Sequence, residues 1–89
     1  MIIRYDPDFI EKLKKVNVRI RKNFKEQIKI FGQDPNNPQL NNHPLREDWE
    51  GYRSIDINSK WRAIYTEKSE RNDIIAYFVA LGTHKELYK

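Results

Sequence analysis

From residue 51 onward, the hydrophobic pattern of the chain changes from a helical period to a strand-like one. Three runs rich in β-branched and aromatic residues follow one another, at residues 52–57, 61–66 and 74–81. Short connections at residues 58–60 and 67–73 join them, and strands joined so closely pair antiparallel. The last two runs are apolar at almost every position, which indicates that both faces of the sheet are covered. This half of the chain therefore predicts a three-stranded antiparallel meander.

The first half of the chain predicts one strand and two helices. Residues 1–5 form a short apolar run that ends at Asp6-Pro7, where a helix cap and a first helical turn are favoured. Apolar residues then recur at helical spacing in two stripes separated near Asn17. The stripes are Phe9, Leu13 and Val16, followed by Ile20, Phe24, Ile28 and Phe31. They predict a helical hairpin, with Gly32 as the end of the second helix.

Together these elements predict a single α+β domain over residues 1–89. An N-terminal strand and a two-helix hairpin precede the meander, which packs against the helices, and a short C-terminal turn or helix follows it. A chain of 89 residues has room for one core and not for a second. It contains no cysteine, which excludes a disulfide framework and a thiolate metal site. With no signal-peptide pattern and no run near the roughly 20 apolar residues that span a bilayer, the predicted location is the cytoplasm.

Positive charge is concentrated in the predicted helices. The formal net charge is +4, and residues 1–32 carry nine Lys and Arg against four Asp and Glu. Lys22, Lys25 and Lys29 fall off the apolar stripe of the second helix. A basic helical face attracts phosphate backbones or an acidic protein partner, although a merely solvated face has the same composition.

The only two histidines lie just outside the two ends of the meander, at His43 and His84. Metal-free RNA cleavage needs a base for the 2′-OH, an acid for the leaving 5′ oxygen and a cation for the phosphate. Histidine serves as acid or base near neutral pH, and arginine binds phosphate oxygens. If the strand ends converge, the two histidines and Arg62 would form such a site. A turn role for His43, a cap role for His84 and a carboxylate partner for Arg62 are the structural alternatives.

Four segments occur in a characteristic order and carry a family resemblance. They are His43-Pro44-Leu45, then Trp49 with Gly51-Tyr52-Arg53, then Trp61-Arg62 with Ile64-Tyr65, and finally Gly82-Thr83-His84 with Leu87-Tyr88. In this order and spacing the chain resembles the RelE/ParE superfamily of type II toxins, and it is most similar to the YafQ-like branch of RelE-type mRNA interferases. The resemblance implies a toxin that inhibits translation by cutting mRNA in the ribosomal A site without a metal or other cofactor, and that a cognate antitoxin silences.

The resemblance also implies roles for individual residues. Those implied to be catalytic are His84, His43 and Arg62. Asp56, at a departure from the family pattern, is a further candidate for the base that takes the 2′-OH proton. Those implied to bind substrate are Arg53, Lys60, Trp61 and Tyr88, while Lys22, Lys25 and Lys29 are implied to bind ribosomal RNA. Structural alternatives remain for three of them: a salt bridge for Arg53, a core position for Trp61 and a hydrophobic clasp for Tyr88.

The chain departs from the family pattern at four positions. Asp56 stands where the nearest relatives have histidine, and Lys60 stands where YafQ-like proteins have an acidic residue. Ala80 replaces a polar or basic residue, and Glu47 replaces the usual glycine of a turn. These departures leave two other functions open, a gyrase-targeting ParE-like toxin and a decayed toxin that only binds its antitoxin. The His-Pro-Leu and Gly-Thr-His segments argue against the gyrase-targeting function.

Overall fold

The structure of the protein is a computed structural model that describes residues 1–88. Its elements in chain order are β1 (Ile2–Tyr5), α1 (Pro7–Lys15), α2 (Val18–Gln33), β2 (His43–Pro44), β3 (Arg53–Asp56), β4 (Trp61–Glu70), β5 (Asp73–Thr83) and α3 (His84–Leu87). Single 3₁₀ turns at Pro38–Leu40 and Glu47–Trp49 flank β2. Within this part of the chain, no helix is both long and apolar enough to cross a membrane. The predicted α+β class is confirmed, with five strands rather than four.

Local capping residues set where the first two helices begin. The Asp6 side chain accepts a hydrogen bond from the Asp8 N–H, and Pro7 occupies the first helical position. Asn17 caps α2 in the same way, accepting from the Ile20 N–H at 3.0 Å. The predicted break near Asn17 is therefore confirmed.

The predicted end of the second helix at Gly32 is wrong. The helix continues through Gln33, and the Asp34 N–H closes the last turn on the Ile30 carbonyl at 2.8 Å. Gly32 does not have the positive φ that favours glycine at a helix end. It lies inside the helix, where an added Cβ would stand 3.7 Å from the Ile3 side chain.

The five strands form one sheet in the order β1-β5-β4-β3-β2. β1 pairs with β5 in parallel, and the other neighbours are antiparallel, so the predicted meander is confirmed. The predicted connection at residues 67–73 is wrong, because β4 and β5 continue to pair as far as Glu70 and Asp73 and leave only Arg71 and Asn72 in the turn. Arg71 has a φ of 57°, as residues of two-residue hairpin turns do. The ends of β4 and β5 next to this turn are exposed and polar, so they show no hydrophobic alternation from which a strand could be predicted.

The two faces of the sheet are covered by different parts of the chain. On one face, α1 and α2 pack through an aromatic cluster in which the ring centroids of Phe31 and Phe78 each lie 5.0 Å from that of Tyr65. Side chains alternate along β4, so Arg62 and Ile64 point to the other face. Ile64 is fully buried there, and α3 packs against β5 on the same side. Both faces are covered, as predicted.

Candidate active site

A cleft of about 330 Å³ lies on the sheet face opposite the two long helices. Its lining residues are Asn41, His43, Leu45, Arg62, His84 and Tyr88. β2, β4 and α3 contribute to it because β3 and β4 bring the start and the end of the meander together. Two histidines, an arginine and an aromatic phenol thus surround one cavity.

His43 is held in one tautomer by its own loop. Its Nδ1 lies 2.8 Å from the Asn41 carbonyl oxygen. A carbonyl oxygen can only accept a hydrogen bond, so Nδ1 carries a hydrogen whether the ring is neutral or charged. In the neutral ring, Nε2 is therefore the nitrogen with the free lone pair, which suits it to act as a base.

His84 and Tyr88 lie one helical turn apart on α3. The Tyr88 N–H donates to the His84 carbonyl at 3.0 Å, and the two rings meet edge to face with centroids 4.5 Å apart. The Tyr88 hydroxyl donates to the buried Ser54 hydroxyl at 3.1 Å, which ties the helix to β3. The His84 ring is exposed at the cleft, and no hydrogen bond within residues 1–88 engages it.

The Arg62 guanidinium is fixed by groups at the turn between β3 and β4. Its Nη1 donates to the Asn58 carbonyl at 2.8 Å and to the Trp61 carbonyl at 3.0 Å, while Nη2 has only a 3.5 Å contact to the Ser59 carbonyl. Nε lies 2.9 Å from Asp56 Oδ1, an ion pair with side chains 17% and 26% exposed. That buried oxygen accepts no aligned hydrogen bond within residues 1–88, so the attraction is mainly Coulombic.

The cleft lining does not include Asp56, Arg53 or Lys60. Arg53 donates through Nε to the Asn42 side chain at 2.9 Å instead. The Lys60 side chain is exposed, and its carbonyl accepts the His84 N–H at 3.1 Å, so it lies beside the cleft and not in it.

Trp61 and the basic residues of α2 lie away from the cleft. Trp61 packs against the hydrophobic core on the helix side, with the Lys12 ammonium 5.7 Å from its ring centroid. Lys22 and Lys25 border an apolar groove between α1 and α2, and Lys29 is exposed on the same helix. The three lysines are therefore separated from the cleft by the sheet.

Several residues at the site had no signal in the sequence. Asn41 lines the cleft, the Ser54 hydroxyl accepts a hydrogen bond from the Tyr88 hydroxyl, and Asn42 binds the Arg53 side chain. Gln27 on α2 is buried and donates to the Asp56 carbonyl at 2.8 Å. A lone Asn, Ser or Gln is common in loops and on helices, so only the tertiary contacts reveal these roles.

The sequence profile described as "Bacterial toxin of type II toxin-antitoxin system, YafQ" matches residues 2–89 of the chain, which covers the cleft and every element of the sheet. The chain belongs to the YafQ family. It is thus the toxin component of a type II toxin-antitoxin system, and its class is that of the mRNA interferases, the endoribonucleases of the RelE superfamily. A cognate antitoxin is its partner. No curated protein sequence gives a match.

Solved structures of YafQ and related toxins share the fold. YafQ from E. coli strain BL21(DE3) matches with a TM-score of 0.78 at 23% identity, covering 98% of this chain and 97% of that one. YafQ in the E. coli DinJ-YafQ complex gives 0.64 at 23% identity, over 98% and 97% of the two chains. A YoeB/ParE toxin from Agrobacterium tumefaciens gives 0.74 at 16% identity, over 94% and 99%. The predicted resemblance to YafQ-like toxins is confirmed.

Proposed function

We propose that this YafQ-family toxin is an active, ribosome-dependent endonuclease that cuts mRNA in the A site by attack of a 2′-OH on the adjacent phosphate. The observation that carries the proposal is the single cleft lined by His43, His84 and Arg62. Those three side chains supply the base, the acid and the cation that metal-free cleavage requires. Because the substrate is mRNA on the ribosome, the toxin acts in the cytoplasm.

His43 is the proposed base. Its Nδ1–H is committed to the Asn41 carbonyl, which leaves Nε2 to accept the proton of the attacking 2′-OH. The side chain is only half-buried, so a nucleotide entering the cleft can reach it. As the 2′ oxygen bonds to phosphorus, the resulting imidazolium also offsets part of the negative charge that develops on the phosphate oxygens.

His84 is the proposed acid. Its exposed ring meets the Tyr88 ring edge to face and has no hydrogen-bonding partner in residues 1–88, so a ring N–H is available to the substrate. As the bond from phosphorus to the 5′ oxygen breaks, His84 donates its proton to that oxygen. The products are then a 2′,3′-cyclic phosphate and a free 5′-hydroxyl.

Arg62 is the proposed cation, and its Nη2 is the edge that meets the phosphate. Nη1 and Nε are already occupied, whereas Nη2 has only the 3.5 Å contact to Ser59. Asp56 lies against Nε and lowers the net charge of this corner of the cleft. We therefore assign Asp56 to partly neutralising Arg62 and not to taking the 2′-OH proton.

The three lysines of α2 are proposed to bind ribosomal RNA. Lys22, Lys25 and Lys29 are exposed on the side of the sheet away from the cleft, so they can contact the ribosome while the cleft faces the codon. We propose that Tyr88 contributes a stacking surface for the substrate nucleotide, since its ring borders the cleft beside His84.

Reconstituted translation with purified ribosomes tests the proposal. The parent is expected to cut mRNA in the reading frame, and His84→Ala and His43→Ala are each expected to reduce cleavage by about 100-fold or more. Lys85→Ala, an exposed neighbour on α3, is the control and is expected to cut at the parental rate. All four proteins should bind the antitoxin equally.

Three results would contradict the proposal. A folded parent that binds its antitoxin but leaves mRNA intact is a decayed toxin. Toxicity that appears as DNA damage without mRNA cleavage indicates a gyrase-targeting toxin. Parental cleavage by His84→Ala removes that residue from the mechanism.

A further inference from the structure

A partly buried hydrogen-bond network lies directly behind His43, outside the cleft, and is centred on Asn42. The Asn42 Nδ2 donates to the Pro35 carbonyl at 2.9 Å and to the Tyr65 hydroxyl at 2.8 Å. Its Oδ1 accepts from Arg53 Nε at 2.9 Å. One amide thus connects the loop after α2, β4 and β3, and the next residue in the chain is His43.

Backbone pairing alone holds His43 weakly. β2 comprises only His43 and Pro44, and a proline has no N–H with which to extend the ladder. Just before it, Asn41 adopts a left-handed φ of 48°, so the chain enters the strand from a turn. The nearest backbone hydrogen bond on the far side joins the Leu45 N–H to the Tyr52 carbonyl at 2.9 Å.

The groups that hold Asn42 are themselves rigid. Tyr65 is 1% exposed, and its ring is packed between Phe31 and Phe78. Burial raises the pKa of the Tyr65 hydroxyl, so it stays neutral and accepts the Asn42 N–H. Arg53 is the register partner of Tyr65 across β3 and β4, so two strands fix its position. The packed core therefore fixes the position of Asn42, the residue before His43.

We propose that Asn42, clamped by Arg53 and Tyr65, is a positioning residue that holds His43 with its Nδ1–H on the Asn41 carbonyl and its Nε2 available to the cleft. Arg53, which the family resemblance implies to bind substrate, acts here through Asn42. This inference rests on the proposed role of His43 as the base. A misplacement of the base by about 1 Å lowers the rate of the chemical step by up to about 100-fold without weakening substrate binding.

The test compares three substitutions of arginine. Arg53→Met keeps the length of the side chain and removes the donor to Asn42, whereas Arg53→Lys keeps a donor. Arg71→Met is the matched control, since Arg71 is exposed in the turn between β4 and β5. For each protein, nitrogen NMR of the free toxin reports the tautomer of the His43 ring, and steady-state cleavage on ribosomes reports kcat and KM.

For Arg53→Met, we expect the His43 ring to populate both tautomers and kcat to fall about 10- to 100-fold, with KM within about twofold of the parent. Arg53→Lys should restore a single tautomer and most of kcat, and Arg71→Met should match the parent. If Arg53→Met does not fold, Tyr65→Phe removes one acceptor of Asn42 while keeping the aromatic packing, and a smaller shift in the same direction is expected.

The inference is overturned if the His43 tautomer is unchanged in the variants, whatever happens to cleavage. A rise in KM with an unchanged tautomer would mean that Arg53 binds substrate directly. The NMR measurement uses the free toxin and does not depend on cleavage. If Arg53→Met alters the tautomer of His43 but the parent never cuts mRNA, the proposed function is contradicted and the positioning network is not.

Discussion

Asp56 forms an ion pair with the proposed catalytic cation, Arg62. The carboxylate lies 2.9 Å from Arg62 Nε, while two backbone carbonyls hold Nη1 independently. Removing the carboxylate charge should therefore leave the guanidinium in place and more attractive to phosphate.

For Asp56→Asn we expect a KM several-fold lower and a kcat near the parental value, measured by cleavage on ribosomes at low salt. Asn is nearly isosteric with Asp, so packing is preserved. A loss of cleavage of about 100-fold would instead identify Asp56 as the base.

Glu47 has a backbone conformation that suits glycine. Its φ is 56°, which costs a residue with a side chain about 1 to 2 kcal/mol, partly offset by the greater flexibility of glycine in the unfolded chain. Glu47→Gly should raise the free energy of unfolding by about 0.5 to 1 kcal/mol in urea denaturation. Asp48→Gly, in the same turn but without a positive φ, should lower it. A lower free energy of unfolding for Glu47→Gly than for the parent would contradict backbone strain at Glu47.

At the residue scale, the sequence predicted which side chains line the cleft more accurately than which side chains point away from it. His43, His84 and Arg62 were predicted from their chemistry and their place in the meander, and Tyr88 from the family resemblance; all four line one cleft. Trp61 could not be placed, because its strand is apolar on both faces and gives no alternation from which to read direction. Arg53 could not be placed, because the Asn42 side chain that binds it lies outside its own strand. Their partners, Asn42 and the hydrophobic core, depend on register and packing across the sheet.

At the scale of elements, α3 depends on local contacts because four residues cannot sustain a helix alone. Thr83 and Glu86 form a reciprocal capping box, and Trp49 Nε1 donates to the Leu87 carbonyl at 3.0 Å. Gly82 lets the helix approach, since an added Cβ would be 3.3 Å from the Leu87 side chain. The orientation of His84 depends on this assembly.

Acid should loosen α3 through Glu86. Hydrogen bonds from Thr83 hold the pKa of the Glu86 carboxyl below its ordinary value of 4.5. The stabilisation is therefore fully present above pH 4.5 and is lost as the pH falls through the lower pKa of the folded state. Amide NMR should show the Thr83 N–H signal shifting with acid in the parent and not in Glu86→Gln, which caps without titrating. Identical acid profiles would contradict this linkage.

The long, periodic elements and the two short terminal elements, β1 and α3, were predicted, whereas β2 and the far ends of β4 and β5 were not. The helical hairpin and the meander followed from apolar stripes and cap residues. β2 was missed because two residues cannot display a period, and the far ends of β4 and β5 were missed because they are exposed and polar. Pairing with a neighbouring strand, which the sequence does not show, makes these segments part of the sheet.

At the scale of the whole molecule, the sheet separates the two surfaces for which we propose different partners. The cleft lies on one face of the sheet. The basic residues of α2 lie on the opposite side of the sheet, where the two long helices pack. A double substitution of Lys22 and Lys25 to Glu should weaken ribosome association and flatten its salt dependence, because fewer counterions are released on binding.

The matched control changes net charge equally at a distant site. Lys68 and Arg71, exposed toward the end of the β4–β5 hairpin, are both replaced by Glu. Sedimentation of toxin with ribosomes at several salt concentrations should show parental binding for this pair. Equal loss of binding in both double variants would mean that only net charge matters.

The most direct test of the central claim, that His43 and His84 act on one linkage, uses an mRNA with sulfur in place of the leaving 5′ oxygen in the A-site codon. A thiolate leaves without the help of an acid, because thiols are far more acidic than alcohols. His84→Ala should then cut this linkage at close to the parental rate, while His43→Ala stays slow. If His84→Ala is as slow on sulfur as on oxygen, His84 is not the acid and the proposed centre is wrong.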